Sequence, residues 1–252
     1  MPLVKSPEEV EQMRISGALL ARCLDILVKC SRPGRSSKEV DVVAEEFIRD
    51  HGAIPAFKNY SFGGPKFPST ICFSKNRVVV HGIPSENMII EEGDTVTIDC
   101  GLSLDGWFAD AARLFGVGEI SEDNSNMIAW SKRVLDAGID ACVVGNKLGD
   151  VSYALQVEIG RSPYYNITQF CGHFIGQAMH EEPQVPNFGK RAAGIDLEPG
   201  MVLCLEPMMK KTDTQLRVLS DGWTIVTRDR TRATHIEEMV LITDSKPEIL
   251  TA

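Results

Sequence analysis

The chain has 252 residues, of which 43% are hydrophobic and 24% charged, and its formal net charge is −9 at pH 7. These are ordinary globular proportions, which exclude a collagen-like, low-complexity or disordered chain, and the lack of an 18-residue uncharged apolar run argues against a membrane span or a secretory signal. The acidic balance argues against a broad surface for nucleic acid or anionic membranes.

The cysteine content indicates a reducing compartment. The seven cysteines are odd in number, scattered along the chain and never arranged as C-x-x-C. This pattern suits reduced thiols better than a disulfide framework or a zinc ribbon. We therefore expect a soluble, cytoplasmic protein.

The first predicted elements are two helices. Ser6 and Pro7, followed by two glutamates, form a helix start with a Ser cap and with acids at the positive end of the helix dipole. Apolar residues recur at helical spacing until Pro33-Gly34 ends this helix. A capping box at Ser36 begins the second helix, which extends to about Asp50.

The strands are predicted in two sets. A loop at 55–68, with Gly-Gly-Pro in its middle, precedes the first set. Alternating or buried apolar runs bounded by turn residues then mark each strand. The predicted strands are 70–74, 78–80, 95–104 and 107–115 in the first set, and 167–171, 201–206, 223–226 and 237–242 in the second.

Between these sets lies a second predicted helix pair, at about 122–143 and 148–160. It repeats the first pair at a constant offset of 111 residues, with seven identities in 31 positions. We interpret this repeat as a diverged internal duplication. Because no long linker separates the halves, residues 1–252 are expected to form one domain with two pseudo-symmetric halves, about 6–115 and 120–245.

Two aspartates in the predicted hairpin are candidate metal ligands. Asp105-Gly106 is a strong two-residue turn, and pairing of its flanking residues puts Gly101 opposite Asp110. Asp99 then lies on the same face as Asp110, one diagonal step or about 7–8 Å away. Two carboxylates so placed can bind a divalent ion between them. The alternative, a pair of solvated aspartates on an exposed face, stays open at this point.

Two further carboxylates adjoin apolar strands. Glu206 ends the run at 201–205, and Glu237 and Glu238 open the strand that follows them. Burying an unpaired carboxylate costs several kcal/mol of folding free energy, so each of these carboxylates is expected to have a partner that offsets this cost. A shared metal cluster would serve all four acids. Strand alternation allows either Glu237 or Glu238 to point inward.

Three of the five histidines, His81, His173 and His180, lie at predicted strand–loop junctions. A single histidine is more often structural than a ligand, but this grouping favours a site. One imidazole with four carboxylates suits Mn, Fe, Co or Zn in a two-metal centre better than a structural zinc site. Four negative ligands would balance two dications and leave a bridging hydroxide.

At this point the chain resembles the type I methionine aminopeptidases over nearly its whole length. The resemblance implies an α+β, pita-bread (creatinase/aminopeptidase) fold, in which a pseudo-twofold antiparallel sheet is backed by two helix pairs. That fold agrees with the internal duplication. The motifs that carry the resemblance are VHGIP at 80–84, ID at 98–99, DGWFAD at 105–110, CGH at 171–173, MHEEP at 179–183, PGM at 199–201, LEPM at 205–208, DGW at 221–223 and Glu237.

The resemblance also implies a site and a mechanism. Two divalent metal ions (Co, Mn, Fe or Zn) would activate a bridging water and polarise the scissile carbonyl. Glu206 would take the proton of that water, His180 would stabilise the carbonyl oxygen, and His81 would meet the substrate backbone or leaving nitrogen. The implied metal ligands, which include Glu237 rather than its neighbour, are Asp99, Asp110, His173, Glu206 and Glu237.

The substrate pocket departs from the family pattern. Phe174 follows the ligand histidine where the family usually has glycine, Met179 stands where an aromatic residue is common, and the loop before Cys72 carries less tyrosine. These changes would tune specificity for the first residue without abolishing it. Besides His81 and His180, the residues expected to line a methionine pocket are Phe62, Phe67, Cys72, Met179 and Trp223, with Phe174 narrowing it.

The leading interpretation is a cytoplasmic hydrolase that removes the N-terminal methionine of nascent polypeptides. It would act as a monomer, with the ribosome as a transient partner and without nucleic acid or membrane. An X-Pro or creatinase-type peptidase on the same fold is an alternative, although such relatives commonly add a large N-terminal domain. A non-catalytic binding protein is the other, and it would be expected to lack a metal ligand.

Overall fold

The computed structural model of the protein describes residues 2–61 and 63–252. Both predicted helix pairs are confirmed. Ser36 forms the predicted capping box, and the predicted cap at Ser6 is also a capping box. The third helix is capped by Ser121, whose side chain accepts from the Asn124 backbone N–H. The helices are α1 (Pro7–Cys30), α2 (Ser37–Asp50), α3 (Glu122–Asp140) and α4 (Leu148–Arg161).

The strands are short except for one hairpin of two ten-residue strands. They are β1 (Ile54–Pro55), β2 (Ile71–Lys75), β3 (Val78–Val80), β4 (Thr95–Leu104), β5 (Trp107–Gly116), β6 (Tyr165–Asn166), β7 (Cys171–Phe174), β8 (Glu181–Pro186), β9 (Val202–Leu205), β10 (Met208–Lys210), β11 (Leu216–Val218), β12 (Ile225–Thr227), β13 (Ala233–His235), β14 (Glu238–Leu241) and β15 (Glu248–Ile249).

The β4–β5 hairpin has the predicted register. Its turn residues Asp105 and Gly106 have φ of 50° and 84°, the left-handed values that a two-residue hairpin turn requires. Gly101 therefore pairs with Asp110, and the ladder continues without a bulge to the ends of both strands. The turn thus fixes which residues share a face.

Two larger sheets meet at the centre of the molecule. One contains β1, β4 and β2 with β5 added on β4, and the other has the order β15-β14-β9-β7-β8. They join where Ala112 of β5 and Glu237, just before β14, exchange backbone hydrogen bonds of 3.2 and 3.1 Å. Two three-stranded sheets, β13-β10-β6 and β11-β12-β3, lie beside this junction.

Each helix pair covers one half of the sheet structure. Leu20 and Leu24 of α1 pack with Ile98 of β4 in the first core. In the second core, Leu135 of α3 packs with Leu203 of β9. The outer faces of the sheets are thereby buried under helices, and the central junction is left to hold polar groups.

The strand predicted at 167–171 is wrong in its bounds, because the structure has β6 before it and β7 at its end. Ile167 lies between the two and is fully buried with Val79 and Met208 in a small core. Its backbone N–H donates to the Met208 carbonyl at 3.1 Å, next to the β6–β10 pairing. Strand β8 was not predicted, because its acidic, Pro-containing sequence lacks the apolar pattern by which the other strands were recognised. Such a composition is typical of an edge strand.

Within residues 2–61 and 63–252, none of the helices combines the length and the apolar composition that a membrane span requires.

Candidate active site

Three carboxylates converge at the junction of the two sheets. Asp99 of β4 and Asp110 of β5 lie on one face because of the hairpin register. Glu237 reaches the same place through its backbone bonds to Ala112. One carboxylate oxygen from each of the three lies within 4.8 Å of the others, and all three side chains are buried.

His173 and Glu206 close the cluster from the second sheet. His173 lies in β7, and its Nε2 is 3.9 Å from Asp110 Oδ2 and 3.8 Å from Glu206 Oε1. Its Nδ1 is 3.0 Å from the Phe174 carbonyl oxygen. A donor at Nδ1 leaves the Nε2 lone pair directed at the carboxylates, which is the tautomer of a metal-binding histidine.

The ambiguity between Glu237 and Glu238 is resolved by what each side chain contacts. Glu238 Oε1 accepts a hydrogen bond of 2.9 Å from Arg113, and its Oε2 accepts one of 2.5 Å from Thr251 Oγ1. Glu238 therefore faces the C-terminal segment. Glu237 faces the cluster, 3.8 Å from the Nε2 of His235.

The electrostatics of the four carboxylates are unfavourable in the absence of a cation. Burial raises the pKa of Asp99 to about 7. Burial and then mutual repulsion hold the pKa values of Asp110, Glu206 and Glu237 well above their usual range. In the described part of the chain, these three form ion pairs only with histidine rings, and neither lysine nor arginine pairs with any of the four.

The donor set fits a divalent cation. Of the buried side-chain atoms without a hydrogen-bond partner among the described residues, five belong to this cluster: Asp99 Oδ1, Asp110 Oδ1, Glu237 Oε1 and both ring nitrogens of His235. Buried polar atoms are normally satisfied, so a group of oxygens and nitrogens that face one another without hydrogen bonds fits a site for a cation. Carboxylates with an imidazole suit Mn, Fe, Co or Zn.

A cavity opens beside the carboxylates. Four predicted pocket residues line its apolar side, where the rings of Phe67 and Trp223 meet edge to face at 5.3 Å between centroids. The polar side carries the carboxylates and His173. The apolar lining consists of Phe57, Phe67, Cys72, Val80, Met179 and Trp223.

His81 and His180 both line this cavity. Tyr60 Oη lies 2.8 Å from His180 Nδ1, and the His180 ring is 4.4 Å from the His173 ring. His81 has a φ of 56°, a conformation that side chains rarely adopt and that is often found at functional sites. Burial lowers the pKa of each to about 4, so both rings are neutral near pH 7.

One of the predicted pocket residues that the structure describes, Phe174, does not lie on the pocket wall. Phe174 is 1% exposed and packs with Leu135 and Val185 in the core beneath the second helix pair, so its placement in the pocket is corrected. The reason is strand alternation: His173 faces the cluster, and the next residue faces the helices. Phe62 lies outside the described residues.

Sequence reasoning missed two polar residues of the cavity. His235 is 2% exposed, and its Nε2 is 3.8 Å from Glu206 Oε2 and from Glu237 Oε2. Its position two residues before Glu237 was an available signal, since residues i and i+2 of a strand share a face. Tyr60 contacts His180 from a loop whose sequence carries no such periodic signal.

Comparison with known proteins gives one consistent result. The model of metallopeptidase family M24 matches residues 11–244. The chain is 41% identical to the methionine aminopeptidase of Clostridium acetobutylicum over 251 residues, covering 100% of this chain and 99% of that protein. It is 37% identical to methionine aminopeptidase 1 of Bacillus subtilis over the same length, with the same coverage.

Solved structures agree with the sequence comparison. The methionine aminopeptidase from Thermotoga maritima superposes with a TM-score of 0.93 at 36% identity, covering 98% of each chain. The prolidase from Pyrococcus horikoshii has a TM-score of 0.79 at 20% identity, and the match covers 99% of this chain but 63% of that one. The second likeness concerns the fold alone. Together they confirm the pita-bread fold.

Proposed function

The chain belongs to metallopeptidase family M24, and from this we propose that it is a metal-dependent aminopeptidase that removes the N-terminal methionine of peptides and nascent proteins. Its similarity to methionine aminopeptidases over the whole chain supports this activity. The observation that carries the proposal is the cluster of buried carboxylates and His173, which lacks a lysine or arginine partner in the described residues and adjoins an apolar cavity.

The cluster would hold two divalent ions. When bound, such ions supply Lewis-acid activation of a water molecule and of the scissile carbonyl. The oxygen-rich donor set accepts Co, Mn, Fe or Zn. The side chains that would hold the ions are Asp99, Asp110, His173, Glu206 and Glu237.

The remaining polar groups have roles in proton transfer and charge stabilisation. Glu206 would accept the proton of the attacking water, because a carboxylate beside the ions lies within reach of that water. When the Tyr60 hydroxyl donates a hydrogen bond to Nδ1 of His180, the hydrogen of the neutral ring is on the opposite nitrogen, Nε2. This N–H can stabilise the carbonyl oxygen of the substrate. His81 would contact the substrate backbone or leaving nitrogen.

The apolar side of the cavity would receive the first side chain of the substrate. Phe67 and Trp223 present ring edges and faces, which interact favourably with a thioether. Met179 and Cys72 complete this wall with soft, polarisable groups.

The test is methionine release from Met-Ala-Ser and Met-Gly peptides with added Mn or Co, with Ala-Pro and Leu-Ala peptides alongside. We expect metal-dependent release of methionine alone, abolished by a chelator. Cleavage of Ala-Pro instead would support an X-Pro peptidase. No cleavage of any peptide by metal-loaded protein would support a non-catalytic binding protein.

Metal binding should release protons and strengthen as the pH rises. Burial raises the pKa of Asp99 to about 7, so part of the metal-free protein carries a proton on this carboxylate at pH 7, and that proton must leave before an ion binds. Calorimetric titration with Mn in two buffers of different ionisation enthalpy measures the protons released. Affinity that is independent of pH between about 6 and about 8, without proton release, would contradict the raised pKa of Asp99.

Replacing His235 by phenylalanine should weaken metal binding by about 10–100-fold, the usual cost of losing a polar group that supports metal ligands. Its Nε2 faces Glu206 and Glu237, the two carboxylates that it would hold in place. The matched control is His51→Phe at the exposed C-terminus of α2. Equal metal affinities of the two variants, measured by competition with a chelating dye, would exclude a role for His235.

We also propose that residues 1–252 form one domain that acts as a monomer in the cytoplasm. The seven free cysteines support a reducing compartment. Transient ribosome association follows from the substrate, since N-terminal methionine is first accessible on emerging chains. Cosedimentation with translating ribosomes and analytical ultracentrifugation test the partner and the monomer.

A further inference from the structure

Met179 and His180 lie in the connection between β7 and β8. This β7–β8 connection, residues 175–180, contains no strand or helix. Gly176 N–H donates to the Ala178 carbonyl at 3.2 Å, and the Gly176 carbonyl accepts from Phe108 N–H at 2.8 Å. These bonds fix the start of the connection, while the two site residues lie at its end.

A buried ion pair lies directly beneath the connection. Glu181, the residue after His180, accepts a hydrogen bond of 3.3 Å from Ala178 N–H at Oε1 and one of 2.7 Å from Lys5 Nζ at Oε2. The side chains of Lys5 and Glu181 are only 2% and 8% exposed. The Glu181 carboxylate therefore joins the middle of the connection to a lysine near the N-terminus of the chain.

Lys5 is itself held in place by the second sheet. Its backbone N–H donates to the Gly200 carbonyl at 2.9 Å, and Val4 forms a bridge with Met201, the residue before β9. Lys5 Nζ also donates to the Pro2 carbonyl at 2.8 Å. Because β9 leads to Glu206, Lys5 is fixed to the strand that presents the proposed general base.

The ion pair also fits closely under the backbone of the connection. A Cβ atom at Gly176 would lie 2.7 Å from Glu181 Oε1 and 2.7 Å from both Lys5 Cε and Lys5 Nζ. A side chain of any kind at this glycine would displace the pair. Buried ion pairs are weak evidence for stability, because desolvation offsets the attraction, so a positional role accounts better for this one.

From these contacts we propose that Lys5 is a positioning residue for His180. Through Glu181, it holds the β7–β8 connection in the position in which the His180 ring meets the carbonyl oxygen of the substrate. The proposal rests on the role given to His180 under the proposed function. Lys5 touches neither substrate nor metal ligand, and it acts only through Glu181 and the connection.

The test is a double-mutant cycle of Lys5→Met with His180→Ala, in which kcat for Met-Ala-Ser is measured on metal-loaded full-length protein. Lys5→Met should lower kcat by about 10–100-fold, since small misplacements of a catalytic group have effects of that size, with unchanged metal content. In the His180→Ala background, it should cause no further loss. The matched control, Lys147→Met, removes an exposed ion pair with Asp196 far from the site and should leave kcat unchanged.

Each alternative outcome has a distinct meaning. If Lys5→Met lowers kcat by the same factor in both backgrounds, Lys5 serves stability alone and the proposal is overturned. In that case the loss of activity in His180→Ala still supports the proposed function. Full activity of His180→Ala would refute the role of His180 and the positioning role together. If Lys5→Met does not fold, Lys5→Met combined with Glu181→Gln removes the unpaired buried charge, and the same cycle is measured on that variant.

Discussion

Replacing Glu237 by glutamine is expected to abolish methionine release and metal binding together, while the metal-free protein becomes more stable. Glu237 contributes a buried oxygen that has no hydrogen-bond partner among the described residues, and it lies within 4.8 Å of Asp99 and Asp110 oxygens. A neutral amide in that place cannot balance a dication. Activity should fall about 10³-fold or more, since a bound ion supplies several kcal/mol of transition-state stabilisation.

The expected gain in stability follows from the pKa of the same group. Burial and repulsion from Glu206 and Asp99 raise the pKa of Glu237 well above its usual range. A carboxyl whose pKa is raised on folding stabilises the folded state below its unfolded pKa of about 4.3, and that contribution is lost as the pH rises towards the folded pKa. Glutamine carries no titrating group, so the metal-free variant should unfold at a higher temperature at pH 7.

Glu238→Gln is the matched control, because it makes the same chemical change one residue along the chain. Glu238 pairs with Arg113 and Thr251 and faces away from the cluster. This variant should keep its metal and its activity and lose some thermal stability. Metal content by mass spectrometry and thermal unfolding with and without Mn distinguish the two. Stoichiometric metal in Glu237→Gln, with full activity, would refute the proposed ligand set.

The choice between these two glutamates illustrates where sequence reasoning stops. Alternation along a strand says that Glu237 and Glu238 face opposite sides, but not which side holds the site. The answer depends on Arg113 and on the backbone bonds to Ala112, both of which come from the other half of the chain. Only the resemblance to a family selected Glu237 before the fold was known.

The β4–β5 hairpin was predictable for the opposite reason. An Asp-Gly turn fixes the register of its own strands, so the shared face of Asp99 and Asp110 follows from residues within one short segment. The prediction that Phe174 lines the pocket is wrong because Phe174 directly follows His173. Successive residues of a strand face opposite sides, so when His173 faces the site, Phe174 packs in the core beneath the helices. The same alternation predicts that His235 faces the site, because it lies two residues before Glu237.

Replacing His180 by alanine should leave metal binding intact and lower kcat by about 10²–10³-fold, the usual effect of removing one donor to a developing oxyanion. The ring lines the cavity next to His173, and its Nδ1 meets the Tyr60 hydroxyl. Burial lowers its pKa to about 4, so the ring stays a neutral donor throughout the working pH range.

The His180→Ala variant is therefore the counterpart of Glu237→Gln, because it separates chemistry from metal binding. Its KM for Met-Ala-Ser should change little, since the substitution leaves in place Phe67, Met179 and Trp223, the pocket proposed for the first side chain. Steady-state kinetics and metal analysis on the same sample measure both quantities. Loss of metal along with activity would mean that His180 supports the metal cluster, and a rise in KM at constant kcat would assign it to substrate binding.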